Sequence, residues 1–111
     1  MMNVMILARI RVKEKQVPNY QTGQLSILYF TTPSCIPCQV IQKPALRQIL
    51  EKLGDRLQVI EVDATASPEL AREWNVLSVP TTFLIDGQGI ARFVNHGVTR
   101  AEKLLDQINK L

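Results

Sequence analysis

The chain lacks most of what builds a metal centre, a nucleic-acid surface or a membrane anchor. Its 111 residues include two cysteines and one histidine. A structural zinc site needs four ligands, so these residues cannot fill one within a single chain, although two chains could pool their cysteine pairs. Aromatic residues are sparse, with three Phe, two Tyr and one Trp. The basic residues Arg9, Arg11, Lys13 and Lys15 gather loosely around Glu14, and the net charge is only +3. A nucleic-acid surface calls for a denser basic patch with aromatic platforms, so no nucleic-acid partner is expected. No apolar stretch approaches the ~20 residues of a membrane span. The N-terminal run of residues 1–10 is apolar, but Arg9 and Arg11 follow it, where a signal peptide has its charges first and a small-residue cleavage site after. The expectation is a cytoplasmic chain with no membrane association. No repeat, linker or low-complexity segment divides it, so a single domain is expected over 1–111, with residues 1–24 a divergent N-terminal strand and loop.

Hydrophobic residues make up 46% of the chain, enough for a packed core. Their spacing sets the order of elements. Val4, Ile6, Ala8, Ile10 and Val12 alternate with Met5, Leu7, Arg9 and Arg11, the period of a strand with one buried face. Pro18, Asn19 and Gly23 interrupt the pattern. The run 25–31 is short, apolar and rich in β-formers, which predicts a buried strand. Val40, Ile41, Ala45, Leu46, Ile49, Leu50 and Leu53 then recur at helical spacing, with Gly54 as the stop and Pro44 as an expected kink. Residues 57–63 predict another strand. Ser67 followed by Pro68 predicts an N-cap opening a short helix through Trp74. Strands at 81–85 and 90–94 flank the hairpin signal Asp86-Gly87-Gln88-Gly89. Thr99 and Glu102 have capping-box spacing before a last helix carrying Ala101, Leu104, Leu105, Ile108 and Leu111. The strand–helix–strand unit at 25–63 implies a parallel crossover and the hairpin adds antiparallel strands. The fold class is therefore α/β, a central mixed sheet flanked by helices.

The chemistry-bearing residues are Cys35 and Cys38. In a cytoplasmic chain a cysteine pair is more often catalytic or metal-binding than structural. Three residues apart on a helix, they share one face, with Cα atoms ~5 Å apart, within reach of a disulfide. They fall where a strand ends and a helix begins. The orphan amides and partial positive charge of a helix N-terminus favour thiolate over thiol. Cys35 is thus the expected nucleophile, and Cys38, one turn on, the resolving cysteine. Haem attachment would need histidine after the second cysteine, where Gln39 stands. An inert buried pair is the bland alternative.

The stretch from Tyr29 to Cys38, Tyr-Phe-Thr-Thr-Pro-Ser-Cys-Ile-Pro-Cys, resembles the active-site segment of the thioredoxin family. Ser78-Val79-Pro80-Thr81-Thr82 resembles that family's cis-proline loop, and Gly97-Val98-Thr99 its glycine loop before the last helix. The resemblance covers roughly residues 25–111. It implies a thioredoxin fold, a cis Val79–Pro80 bond, and a loop that offers backbone groups to an extended substrate segment beside the cysteines. It also implies a substrate-binding set of Ile36, Pro37, Val79, Pro80 and Gly97. The chain departs from the family pattern in several places. Ser34 replaces a tryptophan, and Ile36-Pro37 replaces Gly-Pro. Tyr29 stands for a buried acid and Val59 for its lysine partner. Pro44 falls one residue late, and residues 13–24 leave little room for a helix.

The expected function is a thiol–disulfide oxidoreductase that reduces protein disulfides through a mixed disulfide. A thiol or a reductase would donate electrons. No cofactor and no metal is expected, and the chain would work as a monomer. Two alternatives stay open: a non-enzymatic peptide-binding or redox-sensing module on the same fold, and a disulfide oxidase or isomerase. Ile36 either touches a partner or packs on the hairpin loop. His96 either lends a cation to the cysteine thiolate or is a solvated strand end. Trp74 reads as core, and Asp63 as a turn or cap residue.

Overall fold

The computed structural model describes Val12 and residues 17–111. Its strands are β1 (Leu25–Thr31), β2 (Leu57–Asp63), β3 (Thr81–Ile85) and β4 (Ala91–His96). A π-helical turn, Cys38–Gln42, runs into helix α1 (Lys43–Leu53); α2 is Pro68–Glu73 and α3 is Ala101–Ile108. The strands lie in the order β2-β1-β3-β4. β1 runs parallel to β2, with Leu25 opposite Leu57 and Thr31 opposite Asp63. It runs antiparallel to β3, which is antiparallel to β4. A parallel neighbour requires a crossover connection, and the π turn with α1 supplies it. Four strands of the mixed sheet predicted from residue spacing are observed in this arrangement.

β1 is buried on both faces, and its alternation sorts the core into two clusters. Ile27 and Tyr29 meet Cys38, Leu46, Ile49, Leu84, Leu104 and Ile108 on one side of the sheet. Leu28 and Phe30 meet Ile60, Val62, Leu70, Trp74, Phe83 and Ile85 on the other. Trp74 is core, as expected, and stands edge-on to Phe83 with ring centroids 4.7 Å apart. Val12 also packs into this second cluster, and its N–H donates to the Gly89 carbonyl at 2.9 Å. The rest of the strand expected over 4–12 lies outside the described residues.

The β3–β4 turn is built by Asp86. Its Oδ1 accepts the amides of Gln88 at 2.9 Å and Ile90 at 3.0 Å, and Oδ2 accepts Arg92 Nε at 2.8 Å. Gly89 closes the turn at φ +82°, where a Cβ would also meet the Tyr20 hydroxyl at 3.1 Å. Asp63 has the expected turn role and accepts the Thr65 amide and hydroxyl.

Three expectations need correcting, and a fourth, the N-cap at Ser67, holds in position without its side-chain bond. β4 covers 91–96, beyond the expected 90–94, because its ladder continues until His96 pairs with Thr81. The capping box does not form: the N-cap of α3 is Arg100 and has no side-chain cap bond. The Thr99 hydroxyl donates instead to the Gly97 carbonyl. Ser67 occupies the N-cap of α2, but its side chain makes no cap bond either. Finally, Val40, Ile41 and Leu50 are exposed, and the buried line of the helix runs Cys38, Gln42, Leu46 and Ile49. A turn with i→i+5 bonding takes up one residue more than an α turn, and that shifts the face upstream of α1.

Candidate active site

The site begins where β1 ends. Thr32-Pro33-Ser34-Cys35 forms a tight turn closed by the Cys35 amide on the Thr32 carbonyl at 3.2 Å. Proline suits the second position of such a turn, and it stops the strand. The helical conformation starts at Ile36, so Cys35 is the residue flanking the helix N-terminus. The Cys38 amide donates to Cys35 Sγ at 3.2 Å. That is the bond an N-cap oxygen would accept from the third helical amide, with sulfur in its place. An amide aimed at the sulfur, together with the partial charge of the helix end, stabilises a thiolate there.

The two cysteines are disulfide-bonded, with Cα atoms 5.3 Å apart. Cys35 is half-buried, whereas Cys38 is 0% exposed. The Cys38 carbonyl accepts two donors. One is the Lys43 amide, the i→i+5 bond that defines the π turn. The other is the hydroxyl of Tyr29, which reaches it from β1 at 3.1 Å. Burial pushes the Tyr29 phenol above its ordinary pKa; the Thr31 hydroxyl offsets part of that, and the Glu61 carboxylate adds to it. Tyr29 is therefore neutral at neutral pH and acts here as a donor. The π turn falls just before Pro44, the position of the expected kink, and Pro44, with no N–H to place, sits in the first turn of α1.

Of the other expected site residues, Val79, Pro80 and Gly97 lie on two loops, and Ile36 and Pro37 open the helix between the cysteines. The Val79–Pro80 bond is cis. Val79 and Cys35 both pack against the Tyr29–Cys38 cluster. The Gly97 amide donates to the Pro80 carbonyl at 2.8 Å, and Gly97 sits at φ +93°. Ile36 is 69% exposed, which disposes of packing on the hairpin loop. Pro37 is exposed beside it. His96 is exposed at the end of β4, and its side chain makes no hydrogen bond among the described residues. No cluster of His, Cys, Asp or Glu able to hold a metal ion occurs among the described residues.

Gln42 escaped the sequence reading. It is 0% exposed, and its side chain pairs with both backbone groups of Thr99. The available signal was its position four residues after Cys38 and four before Leu46, on the line the helix buries.

Comparison with known proteins agrees with this geometry. The Thioredoxin family model matches residues 12–110. A thioredoxin of Bacillus subtilis (strain 168) is 32% identical over 82 residues, covering 73% of this chain and 76% of that one. The chloroplastic thioredoxin X of Arabidopsis thaliana is 28% identical over 92 residues, and the match spans 82% of this chain but only 50% of that one. Among solved structures, the malaria parasite thioredoxin-2 superposes with a TM-score of 0.76 at 23% identity, over 83% of this chain and 87% of that one. Chloroplastic thioredoxin z superposes with a TM-score of 0.75 at 20% identity, over 91% and 89%. These two share the fold.

Proposed function

We propose, for a chain that belongs to the thioredoxin family and is a thiol–disulfide oxidoreductase, that it reduces protein disulfides with Cys35 attacking and Cys38 resolving. One observation carries the assignment. Cys35, the half-buried cysteine, is the one whose sulfur receives an amide hydrogen bond, while Cys38 is fully buried. A nucleophile must be both stabilised as thiolate and reachable.

The cycle follows from that asymmetry. The Cys35 thiolate attacks one sulfur of a substrate disulfide. A Cys35–substrate bond forms, and the substrate's other sulfur leaves as a thiolate, which takes a proton. Cys38 then loses its proton and attacks Cys35 Sγ. The Cys35–Cys38 bond closes, and the second substrate sulfur leaves. The substrate has gained two electrons and two protons, and an external dithiol or reductase returns the pair to the dithiol. Thioredoxins act on protein disulfides and are recharged by a reductase, and partners of that general kind belong to this chain.

Substrate recognition is assigned to Ile36, Pro37, Val79, Pro80 and Gly97. Support comes from the exposure of Ile36 and Pro37 beside the nucleophile. It comes also from Val79, whose N–H and C=O take no backbone hydrogen bond among the described residues and are available to an added strand. The same reading has one domain over 1–111 acting as a monomer in the cytoplasm, where thiols are kept reduced. Among the described residues no helix is long and apolar enough to cross a membrane.

The direction of electron flow is tested by the reduction potential of the pair, measured by equilibration in graded thiol–disulfide buffers and alkylation. A value near about −270 mV supports the reductant reading, and one near about −120 to −180 mV replaces it with an oxidase or isomerase. The roles of the cysteines are tested by Cys38→Ser, which should accumulate mixed disulfides through Cys35. Trapping through residue 35 absent under these conditions would leave only a binding module.

A further inference from the structure

The π turn has an inner end that the exchange cycle above does not use. Gln42 closes the turn that Cys38 opens. Its Nε2 donates to the Thr99 carbonyl at 3.0 Å, and its Oε1 accepts the Thr99 amide at 2.8 Å. A primary amide thus pairs with both groups of one residue, as a neighbouring strand would, across 57 positions of sequence. Both partners are buried, so deleting the side chain would strand two backbone polar groups away from water.

Thr99 in turn is tied to the substrate loops. Its hydroxyl donates to the Gly97 carbonyl at 3.2 Å, and the Gly97 amide donates to the Pro80 carbonyl at 2.8 Å. Hydrogen bonds and short stretches of backbone therefore run without a gap from the Cys38 turn through Gln42 and Thr99 to Gly97 and Pro80. The far end of the turn is fixed as well, by Tyr29 on the Cys38 carbonyl. Between the two anchored residues Gly97 and Thr99 stands Val98, which is 39% exposed. A three-residue segment pinned at both ends presents its middle side chain in one orientation. That is preorganisation of a binding wall, which lowers the ordering cost of a long ligand.

We propose that Gln42 is a positioning residue for polypeptide disulfides: it holds the Gly97–Thr99 segment against the Pro80 loop so that Val98 and Gly97 form a fixed wall for the chain flanking the substrate cystine. The inference rests on the oxidoreductase reading, in which protein disulfides are the substrates, and adds to it the residue that positions their flanking chain. A peptide of several residues on either side of its cystine reaches this wall. A small aromatic disulfide, which has no flanking chain, does not.

The experiment compares the fully reduced protein with two disulfides in single turnover over a range of disulfide concentrations, with KM read as the half-saturating concentration and kcat as the limiting rate: 5,5′-dithiobis(2-nitrobenzoic acid) and a cystine-linked peptide pair with about five residues on each side. Reaction of the wild-type protein with neither disulfide would remove the oxidoreductase reading itself, before Gln42 is tested. With that reaction in hand, Gln42→Leu should raise KM for the peptide about tenfold, the size expected from two unpaired backbone groups loosening the loop, with kcat changed less than about twofold. An unchanged peptide KM, or a fall in kcat equal for both disulfides, overturns the proposal. Val98→Ser provides the test should Gln42→Leu fail to fold, because the side chain is at the surface. It should raise peptide KM about threefold; an unchanged KM means that the wall is not part of the binding surface and also overturns the proposal.

Discussion

The two faces of the sheet are packed by different rules. Behind one face, Leu28, Phe30, Ile60, Val62, Leu70, Trp74, Phe83 and Ile85 interlock through apolar contact. Two polar atoms there, Tyr20 Oη and Trp74 Nε1, are buried with no partner among the described residues. Behind the other face, a comparable apolar cluster surrounds Cys38 but carries a series of buried polar groups. Tyr29 bonds Cys38, Gln42 bonds Thr99, and Asn95 bonds both Thr82 and Gln107. Apolar contact is strong but not directional. Hydrogen bonds between buried groups add little net stability, yet they fix orientation because breaking one strands its partner. The Trp74 face supplies stability, and the cysteine face adds positional accuracy where sulfur chemistry needs it.

The largest effect that tests this division is on activity. Cys35→Ser should lower turnover of a disulfide substrate by a factor on the order of 10³ or more. The thermal midpoint of the reduced protein should move by no more than about 4 °C, the scale of a benign surface change. A large loss of stability would mean that Cys35 is part of the structural core and that the two faces are not separable.

Phe83→Ala probes the opposite corner. The ring is 1% exposed and stands edge-on to both Phe30 and Trp74. Its removal should cost about 3–5 kcal/mol by denaturant titration, with the reduction potential of the folded protein unmoved. A shifted potential would show that the Trp74 face also positions the cysteines.

The strands of both faces were legible in the sequence because each depends on local pattern. The run 25–31 reads as a buried strand and is one, and 57–63 and 81–85 hold to the residue. Cys35 and Cys38 were legible because a CxxC between strand and helix has few other uses. What could not be read was the pairing of polar groups distant in sequence. Gln42 in a helical segment reads as a solvent-facing residue, and only its partner Thr99, brought near by the fold, makes it a buried clamp. The same pairing explains the failed capping box. The Thr99 amide is taken by Gln42 and its hydroxyl by Gly97, so tertiary bonds replaced the local one. The i→i+5 bond at Lys43 had only one trace, a proline displaced by one position.

The paired amides of Asn95 and Gln107 sharpen the comparison at intermediate magnitude. Each donates to the other, at 2.8 and 2.9 Å, and both are buried. Gln107→Leu should cost about 1–3 kcal/mol, mostly the penalty of leaving Asn95 unpaired. Adding Asn95→Leu should then cost less than its single effect, with a coupling of about 0.5–3 kcal/mol in a double-mutant cycle. Additive losses would mean that the amides act as separate space-fillers, and that the cysteine face is built like the other one.

The smallest effect is the one that depends on pH, and it arises at the turn beside the Trp74 face. Burial alone would raise the Asp86 carboxyl, but Arg92 and the amides of Ile90 and Gln88 outweigh it, so its pKa lies below the ordinary value. A carboxyl depressed in the folded state stabilises the protein above its unfolded pKa, about 3.9, and that contribution disappears as pH falls through the folded value. Arg92 is 45% exposed, so the ion pair is weakened by solvent, and the amides of Ile90 and Gln88 add to its pull. Asp86→Asn keeps an acceptor for those amides but loses the charge, and should cost about 1 kcal/mol at pH 7. The gap between variant and native protein should close below about pH 4, measured as unfolding free energy against pH. Asp63 is shifted in the same direction by Thr65, so both proteins keep an acid limb, and only their difference isolates Asp86. A gap that persists unchanged at pH 2 would mean that the aspartate acts through shape alone, and that neither face is tuned by charge.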